Sequence, residues 1–260
     1  MHKVVGLVPA AGHGKRVALL PCSKEIFPIG LANVVEDERG GIRPKAVGEY
    51  LLERMQVAGV TRVFIILSRG KWDIMHYFGD GDRFGLHIAY LLQENVWGMP
   101  YALDLARPWL CDETVLFGMP DTIFQPEDAF QRLLLCHQGS SADITLGLFP
   151  TTAPERFGMV EFDNTSRRAL YIIDKPSQTH LRYMWGIGCW GPTFTEFLHS
   201  QLQVLSPPQK EIVLGDIFQA AIENGLEVQV LPFEGGEFID IGVSEEMVRT
   251  IKRFACNDLG

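Results

Sequence analysis

The stretch Gly6–Pro28, GLVPAAGHGKRVALLPCSKEIFP, decides how this chain is read. A β-branched run (Val4, Val5, Val8) ends in a glycine-bearing turn, Gly12-His13-Gly14; Lys15 and Arg16 follow at once, and Lys24 comes eight residues after Arg16. A strand that opens into flexible, cationic backbone is how a parallel sheet holds phosphate. Main-chain N–H groups approach the anion and the cations offset its charge. Two ordinary motifs fail here on a required residue. A phosphate-binding GxxxxGK[ST] loop would need glycine at Pro9 and a hydroxyl at Arg16. A dinucleotide fingerprint would need glycine at Val17 and an acid closing a strand near Val63–Leu67, which disfavours an NAD-dependent oxidoreductase.

The positive cluster runs against the average, because the 260 residues carry a net charge of −9. That balance argues against a nucleic-acid partner or an anionic membrane surface, yet a small anionic substrate needs only a few local cations. A hydrophobic fraction of 47% with 21% charged residues is ordinary for a folded globular chain. Five cysteines, an odd number scattered without a CxxC pair, argue against a complete disulfide framework and make a reducing cytosol the default expectation. No secretory leader precedes the first strand, and no apolar run reaches the ~18–20 residues of a membrane span, so a cytoplasmic location is expected.

Apolar runs alternate with helix-like segments. Val4–Val8, Val63–Leu67, Ile88–Leu92, Val115–Phe117 and Ile144–Phe149 read as strands; Val47–Ala58, Trp72–Phe78, Tyr101–Ala106 and Ala129–His137 read as helices. Near-continuous apolar strands separated by helices predict an α/β fold, a Rossmann-like, mostly parallel sheet covered on both faces. Ligands then bind beyond the strand C-termini. After Pro150, Gly158–Phe162, Ala169–Asp174 and Met184–Trp190 follow one another without helices, which predicts a small antiparallel addition. Helices at Phe194–Leu205, Ile212–Asn224 and Ser244–Phe254 and strands at Val228–Leu231 and Glu237–Ile241 complete the chain. Asn33–Arg43 is the one polar, glycine-bearing stretch, read equally as a solvated excursion or a substrate lid.

Pro9-Ala10-Ala11-Gly12-His13-Gly14-Lys15-Arg16 followed by Lys24-Glu25-Ile26-Phe27-Pro28 resembles the activation loop of the sugar-1-phosphate nucleotidyltransferases, the nucleotide-sugar pyrophosphorylases. The spelling is nearest to the thymidylyl- and uridylyltransferase branches. The resemblance continues along nearly the whole chain. Pro44-Lys45 is similar to the family's entry into its first long helix. Gln93, with Gly98 downstream, resembles the segment that holds a pyrimidine base; an amide offers both donor and acceptor to thymine or uracil. Gly118-Met119-Pro120-Asp121 resembles the family's G-D motif, with proline where glycine is usual, and Asp240 in FIDIG resembles its second aspartate. Phe157-Gly158 and Gly186, with Trp185 before it, look like the sugar-facing strands, core packing being the alternative for Trp185. Asp174-Lys175-Pro176 stands where the family has E-K-P.

The resemblance implies a single catalytic domain over residues 1–260, with a nucleotide-binding half (1–125) and a sugar-phosphate-binding half (126–260), and no additional C-terminal β-helix. It implies the nucleotide-diphospho-sugar transferase fold and a Mg²⁺-dependent transfer from a nucleoside triphosphate, dTTP or UTP, to a sugar 1-phosphate. Arg16, Lys24 and Asp121 would be catalytic. Ala10, Ala11, Gly12, Gly14, Lys15, Gln93 and Gly98 would hold the nucleotide, and Gly158, Asp174, Lys175, Trp185 and Gly186 the sugar phosphate. Asp121 and Asp240 would hold Mg²⁺, since two carboxylates plus triphosphate oxygens suit an octahedral ion. Taken singly, each aspartate also suits a turn or a helix cap. A catalytically weak nucleotide-sugar-binding regulatory protein on the same fold is the alternative, favoured by Pro120, Asp174 and the Asn33–Arg43 insertion. A homo-oligomer is compatible with either.

Overall fold

A computed structural model of the chain describes residues 3–12, 14, 17, 20–34, 41–205 and 211–257. The first half runs β1 (Val4–Pro9), β2 (Pro28–Val34), β3 (Gly41–Ala46), α1 (Val47–Val57), β4 (Arg62–Ser68), α2 (Trp72–Phe78), β5 (His87–Gln93), α3 (Met99–Asp104), β6 (Thr114–Phe117) and β7 (Thr122–Gln125). Then come α4 (Ala129–Gln138), β8 (Ile144–Pro150), β9 (Gly158–Phe162), β10 (Ala169–Asp174), β11 (Tyr183–Trp190), α5 (Pro192–Leu205), α6 (Leu214–Glu223), β12 (Val228–Pro232), β13 (Glu237–Asp240) and α7 (Ser244–Asn257).

The apolar runs that predict a two-sided sheet form it. Strands lie in the order β12-β8-β11-β6-β1-β4-β5, and all are parallel except β11, which runs against both β6 and β8. The β9–β10 hairpin joins the N-terminal end of β11 through Met184 opposite Met159. This is the antiparallel addition expected after Pro150. Alternate residues of β1 feed opposite faces. Val5 and Leu7 pack with Phe194, Ile217 and Phe218 of α5 and α6, and Val8 packs with Leu51, Met55 and Phe130 of α1 and α4. A third, smaller cluster (Val17, Ile29, Val47, Ile123, Ile241, Met247) ties the β2 strand to β7, α1 and α7.

Two short ladders were not expected. The Asn33–Arg43 stretch is bounded by strands: Leu31 opposes Pro44 and Asn33 opposes Ile42 in the β2–β3 hairpin, and residues 35–40 lie outside the described residues. The hairpin's polar composition hides it because only one face is covered, with Ile29 buried while Leu31 and Ile42 are exposed. The second ladder pairs β7 with β13, placing Asp240 opposite Thr122. Among the described residues no helix is long and apolar enough to cross a membrane.

The start of α1 is fixed by one buried carboxylate. Glu49 accepts from the Ala46 N–H at 3.0 Å, from both terminal nitrogens of Arg43 at 2.7 and 2.6 Å, and from the Tyr77 hydroxyl at 2.5 Å. Burial alone would raise its pKa, but Arg43, Tyr77 and the backbone donor outweigh burial and hold it below the ordinary 4.5. Charged hydrogen bonds of this kind are worth about 1.5–3 kcal/mol, so Glu49→Gln should lower stability by about 2 kcal/mol at pH 7. A depressed native pKa stabilises above the unfolded value and ceases to do so as pH falls through the native one. The gap between wild type and Glu49→Gln in urea unfolding should therefore close below about pH 4.5; a gap unchanged from pH 7 to pH 3 contradicts this assignment.

Candidate active site

The segment carrying Lys24 is a single helical turn, Lys24–Ile26, whose Lys24 and Glu25 line one cavity with Pro9 and Gln93 at the carboxyl ends of β1 and β5. It is bolted to the β4–α2 junction on both sides of the lysine. The Ser23 N–H and hydroxyl donate to Asp73 at 2.7 and 2.8 Å, and Lys71 donates to Glu25 Oε1 at 2.6 Å. Glu25 and Lys71 side chains are 2% and 11% exposed, so this ion pair is shielded from water. Burial raises the Glu25 carboxyl, and the neighbouring Lys71 and Lys24 only partly reverse that rise. Among the described residues, Oε2 of Glu25 is buried without a partner.

Asp121 leaves the end of β6 in a tight turn. The Thr122 N–H returns to the Met119 carbonyl at 3.3 Å, and the Thr122 hydroxyl to the same oxygen at 2.8 Å. Pro120 thus takes the second position of a four-residue turn, where a fixed φ is favoured. Proline in place of the family's glycine is therefore accommodated. The β7–β13 ladder then brings Asp240 alongside, because Asp240 opposes Thr122 and the Ile241 N–H bonds the Asp121 carbonyl at 3.0 Å.

Lys24 Nζ pairs with Asp121 Oδ2. A Cβ built on Gly242 would lie 2.7 Å from Asp240 Oδ1, 3.1 Å from Asp121 Oδ2 and 3.3 Å from Lys24 Nζ. Two carboxylates and one ammonium therefore converge on the space above this glycine, whose N–H bonds Asp240 Oδ1 at 2.7 Å. Burial alone would lower the Lys24 pKa, but the surrounding carboxylates of Asp121, Glu25 and Asp240 prevail and raise it. Burial likewise opposes ionisation of Asp121, and the Lys24 ammonium outweighs it, so the carboxyl is held below its usual range. Lysine and aspartate are both charged at neutral pH.

These groups open onto a cavity of about 300 Å³. Ala11, Gly12, Lys24, Gln93, Gly98, Asp121, Gly158, Asp174, Lys175, Trp185 and Asp240 all line it, so motifs far apart in sequence meet at one rim. Gln93 is buried and its Nε2 donates to the Gly98 carbonyl at 3.4 Å. Gly98, at φ +118°, lies against Ile212, whose carbonyl a Cβ would strike at 2.2 Å, and this contact seats residues 211–214 in the cavity wall. Lys175 holds a left-handed φ of 47°, uncommon for a side-chain-bearing residue, with its N–H on the Phe157 carbonyl at 2.9 Å and its Nζ 3.3 Å from Asp174. Trp185 serves both packing and site: its ring stands edge-on to Phe218 at 5.2 Å, while the residue borders the cavity.

Other expected positions lie elsewhere. Ala10 is in the core, its N–H extending the β1–β4 ladder to the Ile66 carbonyl at 2.8 Å. Gly14 and Gly186 do not line the cavity, and Gly186 packs against Phe238 and Phe149. Lys15 and Arg16 fall outside the described residues. Sequence reasoning passed over Glu25, Met119, Arg156 and Phe238, all of which line the cavity. Glu25, Met119 and Phe238 lie inside recognised motifs and Arg156 immediately precedes one, which was the available signal.

The residues present fit a hard divalent cation. Asp121 and Asp240 present converging carboxylate oxygens, and an ammonium already lies beside them as a monovalent counter-charge. Among the described residues no group of three or more His, Cys, Asp and Glu forms a complete cage, so a bound ion would draw further oxygens from the ligand, as Mg²⁺ does with phosphates.

Removing one member of a buried ion pair strands the other, at about 3–5 kcal/mol. Lys71→Met should show a loss of that size in chemical denaturation, and Lys71→Met combined with Glu25→Met should recover most of it. A single variant as stable as the wild type would contradict the clamp.

The family model described as Nucleotidyl transferase matches residues 42–255, beginning beyond the Gly6–Pro28 loop. A glucose-1-phosphate thymidylyltransferase of Neisseria meningitidis is 25% identical over 247 residues, covering 93% of this chain and 79% of that protein. The low-salt glycan biosynthesis nucleotidyltransferase Agl11 of Haloferax volcanii is 25% identical over 208 residues, covering 78% of this chain and 56% of that protein. The chain thus spans little more than half the length of the Haloferax relative. Among solved structures, UDP-glucose pyrophosphorylase complexed with UDP-glucose shares the fold with a TM-score of 0.79 at 18% identity, covering 99% of this chain and 100% of the other. With more than half of its length matched by the family model, the chain belongs to the nucleotidyl transferase family.

Proposed function

We propose that this chain joins a nucleoside triphosphate, dTTP or UTP, to a sugar 1-phosphate, giving a nucleotide-diphosphate sugar and pyrophosphate. The observation that carries this reading is the convergence of Lys24, Asp121 and Asp240 at one cavity that Gly158, Asp174 and Lys175 also border.

A phosphate oxygen of the sugar 1-phosphate attacks the α-phosphorus. That P–O bond forms as the bond to the departing β-phosphate oxygen breaks, and pyrophosphate leaves with its electron pair. No protein nucleophile is required. Catalysis then rests on positioning two anionic reactants and offsetting charge at phosphorus. Lys24, held by Asp121 and the Ser23–Asp73 and Glu25–Lys71 contacts, is assigned to the α-phosphoryl group. Lys175 is assigned to the incoming sugar phosphate, and Asp174, one methylene shorter than the family's glutamate, to the sugar hydroxyls. Ala11 and Gly12 border the triphosphate end, where the resemblance also places Arg16. Gln93 is assigned to the pyrimidine edge. Mg²⁺, with Asp121 and Asp240 as its protein ligands, would supply neutralising charge to the phosphates.

The test is a matrix of dTTP, UTP and CTP against sugar 1-phosphates, scored by pyrophosphate released. Release with dTTP or UTP is expected, and binding without release in every combination contradicts the proposal. Lys24→Ala should lower turnover by about 10²–10³, as loss of a transition-state donor does. Gly242→Ala should lower turnover without unfolding the chain, because its methyl group enters the space between the two carboxylates and Lys24 and displaces those side-chain ends. Near-normal turnover by either variant at saturating substrate would contradict the assigned site.

A further inference from the structure

Arg156 is a cation in the cavity wall that neither the motifs nor the clamp explains. It closes a short turn, Pro154–Arg156, and immediately precedes Phe157-Gly158 at the start of β9. Its side chain borders the main cavity on one side and, on the other, a second cavity of about 200 Å³ beneath α7. Nη1 reaches Glu246 Oε1 at 3.3 Å, and Nη2 is buried with no acceptor among the described residues. Lys24 is paired with Asp121, and Lys175 lies 3.3 Å from Asp174, the same separation as Arg156 from Glu246; the buried Nη2 is what sets Arg156 apart.

A guanidinium carries five N–H donors in a planar fork suited to phosphate, and a buried charged donor without an acceptor is costly. An incoming phosphate oxygen would relieve that cost. Position decides which phosphate. The Phe157 carbonyl, next in sequence to Arg156, accepts the Lys175 N–H at 2.9 Å, so Arg156 and Lys175 are joined through one backbone contact. Arg156 also shares the edge between the two cavities with Asp240, Phe157 and Phe238. We propose that Arg156 is a second phosphate-binding cation for the sugar 1-phosphate, with Glu246 of α7 as its positioning residue. The assignment rests on the function proposed above and extends it to a residue outside the recognised motifs.

The test is calorimetric titration of wild type, Arg156→Gln, Arg156→Lys and Glu246→Gln with glucose 1-phosphate, inorganic phosphate and, separately, dTTP. Loss of a charge-assisted fork predicts a roughly 10- to 100-fold weaker affinity of Arg156→Gln for glucose 1-phosphate. Arg156→Lys, which keeps the charge without the fork, should fall between that variant and wild type. Glu246→Gln should weaken glucose 1-phosphate less than Arg156→Gln does. Affinity for dTTP should change less than about twofold in all three. Unchanged glucose 1-phosphate affinity in Arg156→Gln, or a loss confined to dTTP, overturns the Arg156 assignment and leaves the functional reading standing. A wild-type protein that binds dTTP but neither phosphate probe overturns both.

Discussion

The site depends on keeping three charges together at the carboxyl ends of a parallel sheet: the Lys24 ammonium and the Asp121 and Asp240 carboxylates. Each would be costly to bury alone, and aspartate at the end of an apolar strand especially so. Together they offset one another, with Lys24 raised and Asp121 lowered in pKa. The fold supplies each from a different element. Lys24 comes from a helical turn pinned to α2, Asp121 from the turn after β6, and Asp240 from the ladder partner of β7. Gly242 leaves the space in which they meet.

That arrangement also bears on chemistry. A wall with two acids and one cation has a surplus of negative charge, which suits a substrate arriving with a divalent cation. Lys175 and Arg156 add positive charge to the lining of the same cavity. In the proposed reaction the two carboxylates and Lys24 serve a metal-bound triphosphate, and Lys175 and Arg156 serve the sugar phosphate.

Much of this was legible in the chain. The apolar runs of β1, β4 and β8 were continuous and bounded by turns, so their strands and the two-sided sheet followed from hydrophobic pattern. The site was legible where residue types were specialised: Lys24, Asp121, Gly158, Lys175 and Asp240 all reach the same cavity. The rest depended on long-range contacts that leave no local mark. The β2–β3 hairpin is covered on one face only and looks like a polar loop. Strand β7 is four residues long and exists because β13 pairs with it. Ala10 and Gly186 sit in recognisable motifs yet pack inward, because a motif fixes which residues travel together and not which of them faces the ligand. Arg156 carried no motif of its own.

The central claim is that these charges join two phosphorylated molecules directly, with no covalent enzyme intermediate. Turnover of a single diastereomer of an α-thio-substituted dTTP or UTP, followed by phosphorus NMR of the nucleotide-sugar product, tests this most directly. One in-line displacement predicts inversion at the α-phosphorus. Retention, which requires two displacements, would contradict the account.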